Sequence, residues 1–70
     1  MPVRYNRLFH MMIDRKISNT KLAEMAGISL NIITKLKRDE YISLETIEKI
    51  CKALNCRIED VVEIINEEEK

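Results

Sequence analysis

Glycine, proline and histidine each occur once in the 70 residues, and cysteine twice. No stretch alternates apolar and polar residues between turn signals, so strand signals are weak, and no low-complexity linker divides the chain. Cys51 and Cys56 are too few for a disulfide framework, and the lone His10 completes no paired zinc spacing. They read as two reduced thiols, one of them core, and His10 reads as a surface or boundary residue. No run of 18 apolar residues is present, which excludes a transmembrane helix. The N-terminal stretch lacks an apolar segment followed by a small-residue cleavage site, so no secretory signal is expected and the location is read as cytoplasmic. Without a carboxylate–histidine pair or an activated nucleophile, an enzyme is not expected, nor a cofactor, a metal or a small-molecule ligand.

What is present is a globular composition, 46% hydrophobic and 34% charged. A domain this small buries only about 60% of the surface its unfolded chain exposes, which leaves no room for both a deep pocket and a stable core. Twelve basic and twelve acidic residues cancel to zero. Their distribution does not cancel. Residues 1–38 hold eight basic and two acidic groups, net +6, and residues 39–70 hold four basic and ten acidic, net −6. One face for a polyanion and another turned away from it is one reading of that split. Two faces that attract each other within the fold is the other.

Helical spacing runs through the whole chain. The first helix is expected from Val3 to Lys16, with Tyr5, Leu8, Phe9, Met12 and Ile13 along one side. Ser18 caps a second from Asn19 to Ala26, carrying Leu22 and Met25. Gly27 sits where a helix end needs positive φ. Ser29 opens a third helix from Leu30 to about Arg38, with Ile33 and Leu36 inward. Ser43 caps a fourth from Leu44 to Leu54, striped by Leu44, Ile47, Ile50, Cys51 and Leu54. A fifth is expected from Ile58 to Asn66, and the acidic residues 67–70 as a frayed, disordered tail. Met11, Met12 and Met25 read as core filler. Short connections between five short helices imply a compact all-α domain over residues 1–66.

The informative stretch runs from Asn19 to Leu36: helix, glycine turn, helix. Ala23 is the small residue at a close crossing, Gly27 is the turn, and Ile28, Ile33 and Leu36 lock the second helix of the pair. That specifies a helix-turn-helix. The outer face of the third helix then carries Asn31, Thr34, Lys35 and Arg38, whose amide, hydroxyl, ammonium and guanidinium groups match base edges and phosphates. Leu30 on the same helix can meet a thymine methyl or pack on the protein. Lys16, Lys21 and Lys37 can be phosphate contacts or solvated lysines.

With Leu22-Ala23, Gly27-Ile28-Ser29, Ile33 and Leu36, then Ser43 to Ile47, Leu54 and Val61, the chain resembles the phage repressor and Cro-type (Xre) helix-turn-helix family over roughly residues 5–65. The resemblance implies a repressor-like five-helix domain whose third helix enters the DNA major groove, acting as a homodimer on two half-sites about 34 Å apart. It places a phosphate contact on Asn19, the start of the recognition helix on Ser29, Leu30 and Asn31, and a base-reading position on Lys35. A buried Arg–Glu pair frequent in the family falls on Met12 and Lys37, which implies an apolar core contact and frees Lys37 to turn toward DNA. The family's glycine after the third helix is Asp39, a residue that tolerates the left-handed conformation.

The function expected is a sequence-specific regulator binding double-stranded DNA, a repressor at a dyad-symmetric operator. The alternatives are an antitoxin autoregulating its promoter and a protein-interaction module that has lost DNA binding. The dimer contact is expected at Val62, with Ile42, Ile58 and Ile65 around it. Packing of Ile42 against Val62 within one chain is the competing arrangement.

Overall fold

Serine hydroxyls start three of the helices. In the computed structural model, which describes residues 2–66, the Ser18 side chain accepts from the Lys21 amide at 3.0 Å, Ser29 from Ile32 at 3.4 Å and Ser43 from Thr46 at 3.2 Å. Each satisfies an amide the helix leaves unpaired, an interaction typically worth about 1 kcal/mol. The order along the chain is β1 (Val3–Arg4), α1 (Asn6–Arg15), α2 (Asn19–Ala26), α3 (Leu30–Lys37), α4 (Leu44–Leu54), α5 (Ile58–Val61) and β2 (Glu63–Ile64). The bounds of α2 and α4 match the expectation residue for residue.

The first four helices end alike. A residue in the left-handed region follows each: Lys16 at φ 59°, Gly27 at 68°, Asp39 at 58° and Asn55 at 54°. The next amide then reaches back five residues: Ile17 to Met12 at 2.8 Å, and Ile28 to Ala23, Glu40 to Lys35 and Cys56 to Cys51 at 3.0 Å each. These are Schellman bonds, which close the last turn and bring the two bonded residues together. Gly27 has the expected positive φ, and Asp39 adopts the left-handed conformation that glycine supplies elsewhere in the resembled family.

The two chain ends depart from expectation. The first helix begins at Asn6 rather than Val3, and the fifth stops at Val61 instead of continuing to Asn66. Val62 is already extended, at φ −119° and ψ 138°. An antiparallel ribbon takes their place, with Val3 opposite Ile64 and Arg4 opposite Glu63, extended by a bond from the Ile65 amide to the Pro2 carbonyl at 2.6 Å. Residues 61–65 include four β-branched side chains, which favour extended backbone once a partner strand is at hand. Helical spacing therefore relates Ile58 to Val61 but does not reach Ile65, and the all-helical domain carries a two-stranded clasp. The expected tail at 67–70 lies outside the described residues.

The core gathers Leu8 and Met12 of α1, Leu22, Ala23 and Ala26 of α2, Ile33 and Leu36 of α3, Ile47, Ile50 and Leu54 of α4, and Val61 of α5, with Val3 and Tyr5. Helix α2 packs on both α3 and α4, and α5 packs on α1 and α4. Three side chains expected inside are outside: Ile13 is 73% exposed, Leu44 is 71% exposed, and Met25 is exposed too. At 100° per residue, Ile13 lies about 120° from the centre of the α1 seam, Met25 about 105° from that of α2, and Leu44 about 90° from that of α4. Tyr5 ties the core to the loop after α3, its hydroxyl donating to the Glu40 carbonyl at 2.7 Å.

Candidate nucleic-acid interface

The buried seam of α3 is Ile33 and Leu36. Measured from its centre at 100° per residue, Asn31 and Arg38 lie about 170° away, and Thr34 and Lys35 about 130° to either side. All four are exposed. The sequence-expected stripe is therefore the outward pole of the helix. Ser29 caps the helix and is exposed, so its hydroxyl is engaged by the Ile32 amide while its edge faces solvent. Asn19 opens α2 immediately after the Ser18 cap and is half-buried.

Three details of this face were not legible beforehand. The Thr34 hydroxyl donates back to the Leu30 carbonyl at 3.2 Å, so its proton is held by its own helix and its methyl group and lone pairs are left to the surface. Leu30 is 53% exposed, about 90° from the seam. It flanks the stripe instead of packing inward, whereas the neighbouring Ile32 joins the core edge. Lys37 is exposed but lies about 70° from the seam, on the flank of α3 and away from the outward pole. Met12, which the resemblance pairs with it, is buried in the core.

Six of the eight basic groups of residues 1–38 divide into two sets. Arg15 donates to the Leu54 carbonyl at 2.6 Å, capping the C-terminal end of α4, and Arg7 reaches the Glu59 carbonyl at 3.5 Å. A cation at a helix C-terminus is favoured by the helix dipole. Those two serve the fold. Lys21, Lys35, Lys37 and Arg38 remain on the two helices of the motif, all exposed. Arg38, 71% exposed, approaches the Glu40 carboxylate, 36% exposed, at 3.9 Å. A pair of that kind is worth little and exchanges readily for a phosphate.

The other features of the sequence reading lie away from α3. Ile42 and Val62 are half-buried against the core, Ile65 is half-buried, and Ile58 is 46% exposed. Ile58, Leu44, Ile47, Glu48 and Cys51 line an open groove of 460 Å³ between α4 and α5. The sequence reading missed it because Leu44 was placed in the core stripe. No helix among the described residues is long and apolar enough to cross a membrane, and no group of three or more candidate metal ligands occurs among them.

The chain matches the model of the Cro/C1-type HTH DNA-binding domain over residues 7–67. It is 39% identical over 61 residues to the HTH-type transcriptional regulator YozG of Bacillus subtilis strain 168, covering 84% of this chain and 73% of that protein. The fold superposes on the crystal structure of the transcriptional regulator VanUg (form II) with a TM-score of 0.86 and 36% identity, over 94% of this chain and 88% of the other.

Proposed function

The chain belongs to the Cro/C1-type helix-turn-helix DNA-binding family and is a DNA-binding transcriptional regulator, and from that premise we propose that it is a cytoplasmic repressor acting as a homodimer on a dyad-symmetric operator. The observation that carries the reading is the outward pole of α3, where Asn31, Thr34, Lys35 and Arg38 converge on exposed surface. In this reading α3 lies in the major groove. Asn31 offers a bidentate amide suited to adenine, and Lys35 donates to guanine O6 or N7. Leu30 and the Thr34 methyl give an apolar flank for thymine methyls. Arg38, Lys37, Asn19 and the Ser29 edge meet phosphates, which set register and carry no sequence information. In this reading repression follows from occupancy of the promoter.

For the homodimer, we place the two-fold contact at Ile58, Val62, Ile42 and Ile65. Its support is the 46% exposure of Ile58 beside the equally apolar, exposed Leu44. An isologous contact there buries the same patch twice. The test is selection of bound duplexes from a random pool with the purified chain. The expected product is an inverted repeat whose half-site centres lie about 34 Å apart. Recovery of single, unpaired half-sites would remove the dimer from the reading, and recovery of no motif would remove sequence-specific binding.

A further inference from the structure

Each Schellman bond brings its two residues into contact, and the pairs differ in chemistry. Met12 meets Ile17 and Ala23 meets Ile28, both ordinary apolar contacts that help fill the core edge. At the end of α4 the same geometry joins two thiols. The Cys56 amide donates to the Cys51 carbonyl at 3.0 Å across Asn55, which is held at φ 54° and ψ 53°. A backbone bond of this type sets its two residues side by side, and a disulfide requires its two α-carbons to lie within about 4.4–6.8 Å. Both cysteines are free and half-buried. Cys51 also lines the open groove, which gives a small solute a path to its sulfur.

We propose that Cys51 and Cys56 are a reversible oxidative-modification site, at which a hydroperoxide closes an intramolecular disulfide across the C-terminal cap of α4. The reaction has two steps. The Cys51 thiolate, at the groove, attacks one peroxide oxygen; the S–O bond forms, the O–O bond breaks, and hydroxide leaves to be protonated to water. The Cys56 thiolate then attacks the sulfenic sulfur; the S–S bond forms and the S–O bond breaks, releasing a second hydroxide that becomes water. With hydrogen peroxide as the hydroperoxide, two thiols give up two electrons and two protons and the peroxide is reduced to two waters; an organic hydroperoxide would leave one water and one alcohol.

The surroundings set the pace and the consequence. Burial, the facing Cys51, and the charge of Asp60 all push the Cys56 thiol up, to about 11, while Arg15 pulls the other way. Cys51 is raised for the same first reason, with Asp60 adding to the rise and its bond to Cys56 opposing it. The pair therefore waits as thiols at neutral pH and reacts with accumulated oxidant over time instead of with trace oxidant at once. Closure ties the end of α4 to the lead into α5, a four-residue helix with little cooperativity of its own.

The experiment exposes the full chain to hydrogen peroxide, then counts free thiols and measures intact mass under denaturing, non-reducing conditions. The expected result is loss of both titratable thiols and of two hydrogens per chain, with the chain still monomeric on a non-reducing gel and fully restored by dithiothreitol. Cys51→Ser and Cys56→Ser should each fail to lose two hydrogens. They should stop at a sulfenic acid trapped by dimedone, with Cys51 in the Cys56→Ser chain labelled faster than Cys56 in the other. Retention of both thiols in the parent chain, or linkage only between chains, would overturn the proposal. So would equal dimedone labelling of the two variants, for the order of attack. None of these readouts involves DNA.

Discussion

At position 27 the constraint acts on the backbone alone. A β-carbon built on Gly27 meets nothing within 4 Å, yet φ is +68°. Gly27→Ala should therefore destabilise by about 1–2 kcal/mol through the left-handed conformation and not through a clash. Gly27→Asn should cost less, since Asn55 already adopts that conformation after α4. A urea titration of the three chains checks the order, and Ala equal to parent would place Gly27 outside a strained turn. Proton linkage acts at the other cap. Cys56 binds its proton more tightly folded, with its thiol pushed to about 11 chiefly by burial, than unfolded, where about 8.5 is usual. A raised acid contributes full stability below the unfolded value, and that contribution is lost as pH rises through the folded one. Stability should thus decline between about pH 8.5 and 11. Tyr5, raised by burial and then by Asp39, adds to the decline at its upper end. In Cys56→Ser the fall should become shallower without disappearing, because the Cys51 thiol is also raised by burial; urea midpoints across that range decide it.

Among the elements, the clasp is the one whose orientation can be tested by contrast. Val3 is buried and Ile64, opposite it, is exposed. Val3→Ala should cost about 1–2 kcal/mol from the two buried methyl groups lost. Ile64→Ala should stay within about 0.5 kcal/mol. Equal losses would mean that the strand is turned the other way. The same element shows why part of the fold was hidden in the sequence. Helices α2 and α4 were legible because chemistry marks both ends: Ser18 and Gly27 for one, Ser43 and Asn55 for the other. A two-residue strand is too short to show alternation. Ile58, Val61 and Ile65 satisfy helical spacing on paper, and only the arrival of Val3 from the far end of the chain decides for extended backbone. The α3 stripe was legible because Ile33 and Leu36 fix its inward side. The engagement of Thr34 by Leu30 was not, since it depends on a rotamer. The separation of Arg7 and Arg15 from the motif was hidden too, because it depends on where α4 and α5 come to rest.

Over the whole molecule, two of the basic side chains of residues 1–38 are taken up by the fold. Arg7 and Arg15 hold the acidic half through carbonyls of Glu59 and Leu54. Lys21, Lys35, Lys37 and Arg38, on α2, α3 and the cap of α3, are exposed. If Lys21, Lys37 and Arg38 each meet one phosphate while Lys35 reads a base, log K should fall with log salt at a slope of about −3 per protomer, and Arg38→Ala should reduce it by about one while sparing base preference. Lys35→Ala should instead relax preference at one half-site position, at about 1–3 kcal/mol. Filter binding to the selected duplex and to random duplex at several salt concentrations separates the two. The proposed two-fold contact is best probed at Ile58. Val62 and Ile42 lean on the core, so a charge at Val62 would mix unfolding with dissociation. Ile58 opens α5 and is 46% exposed, and a carboxylate at a helix start is favoured by the dipole. Ile58→Glu should accordingly keep its helical circular dichroism. It should also shift sedimentation from dimer to monomer. Binding to an inverted repeat should fall to the affinity of a single half-site, because the second half-site then contributes no linked contact. A mutant that still sediments as a dimer would move the interface off this face, to a surface that does not include α5.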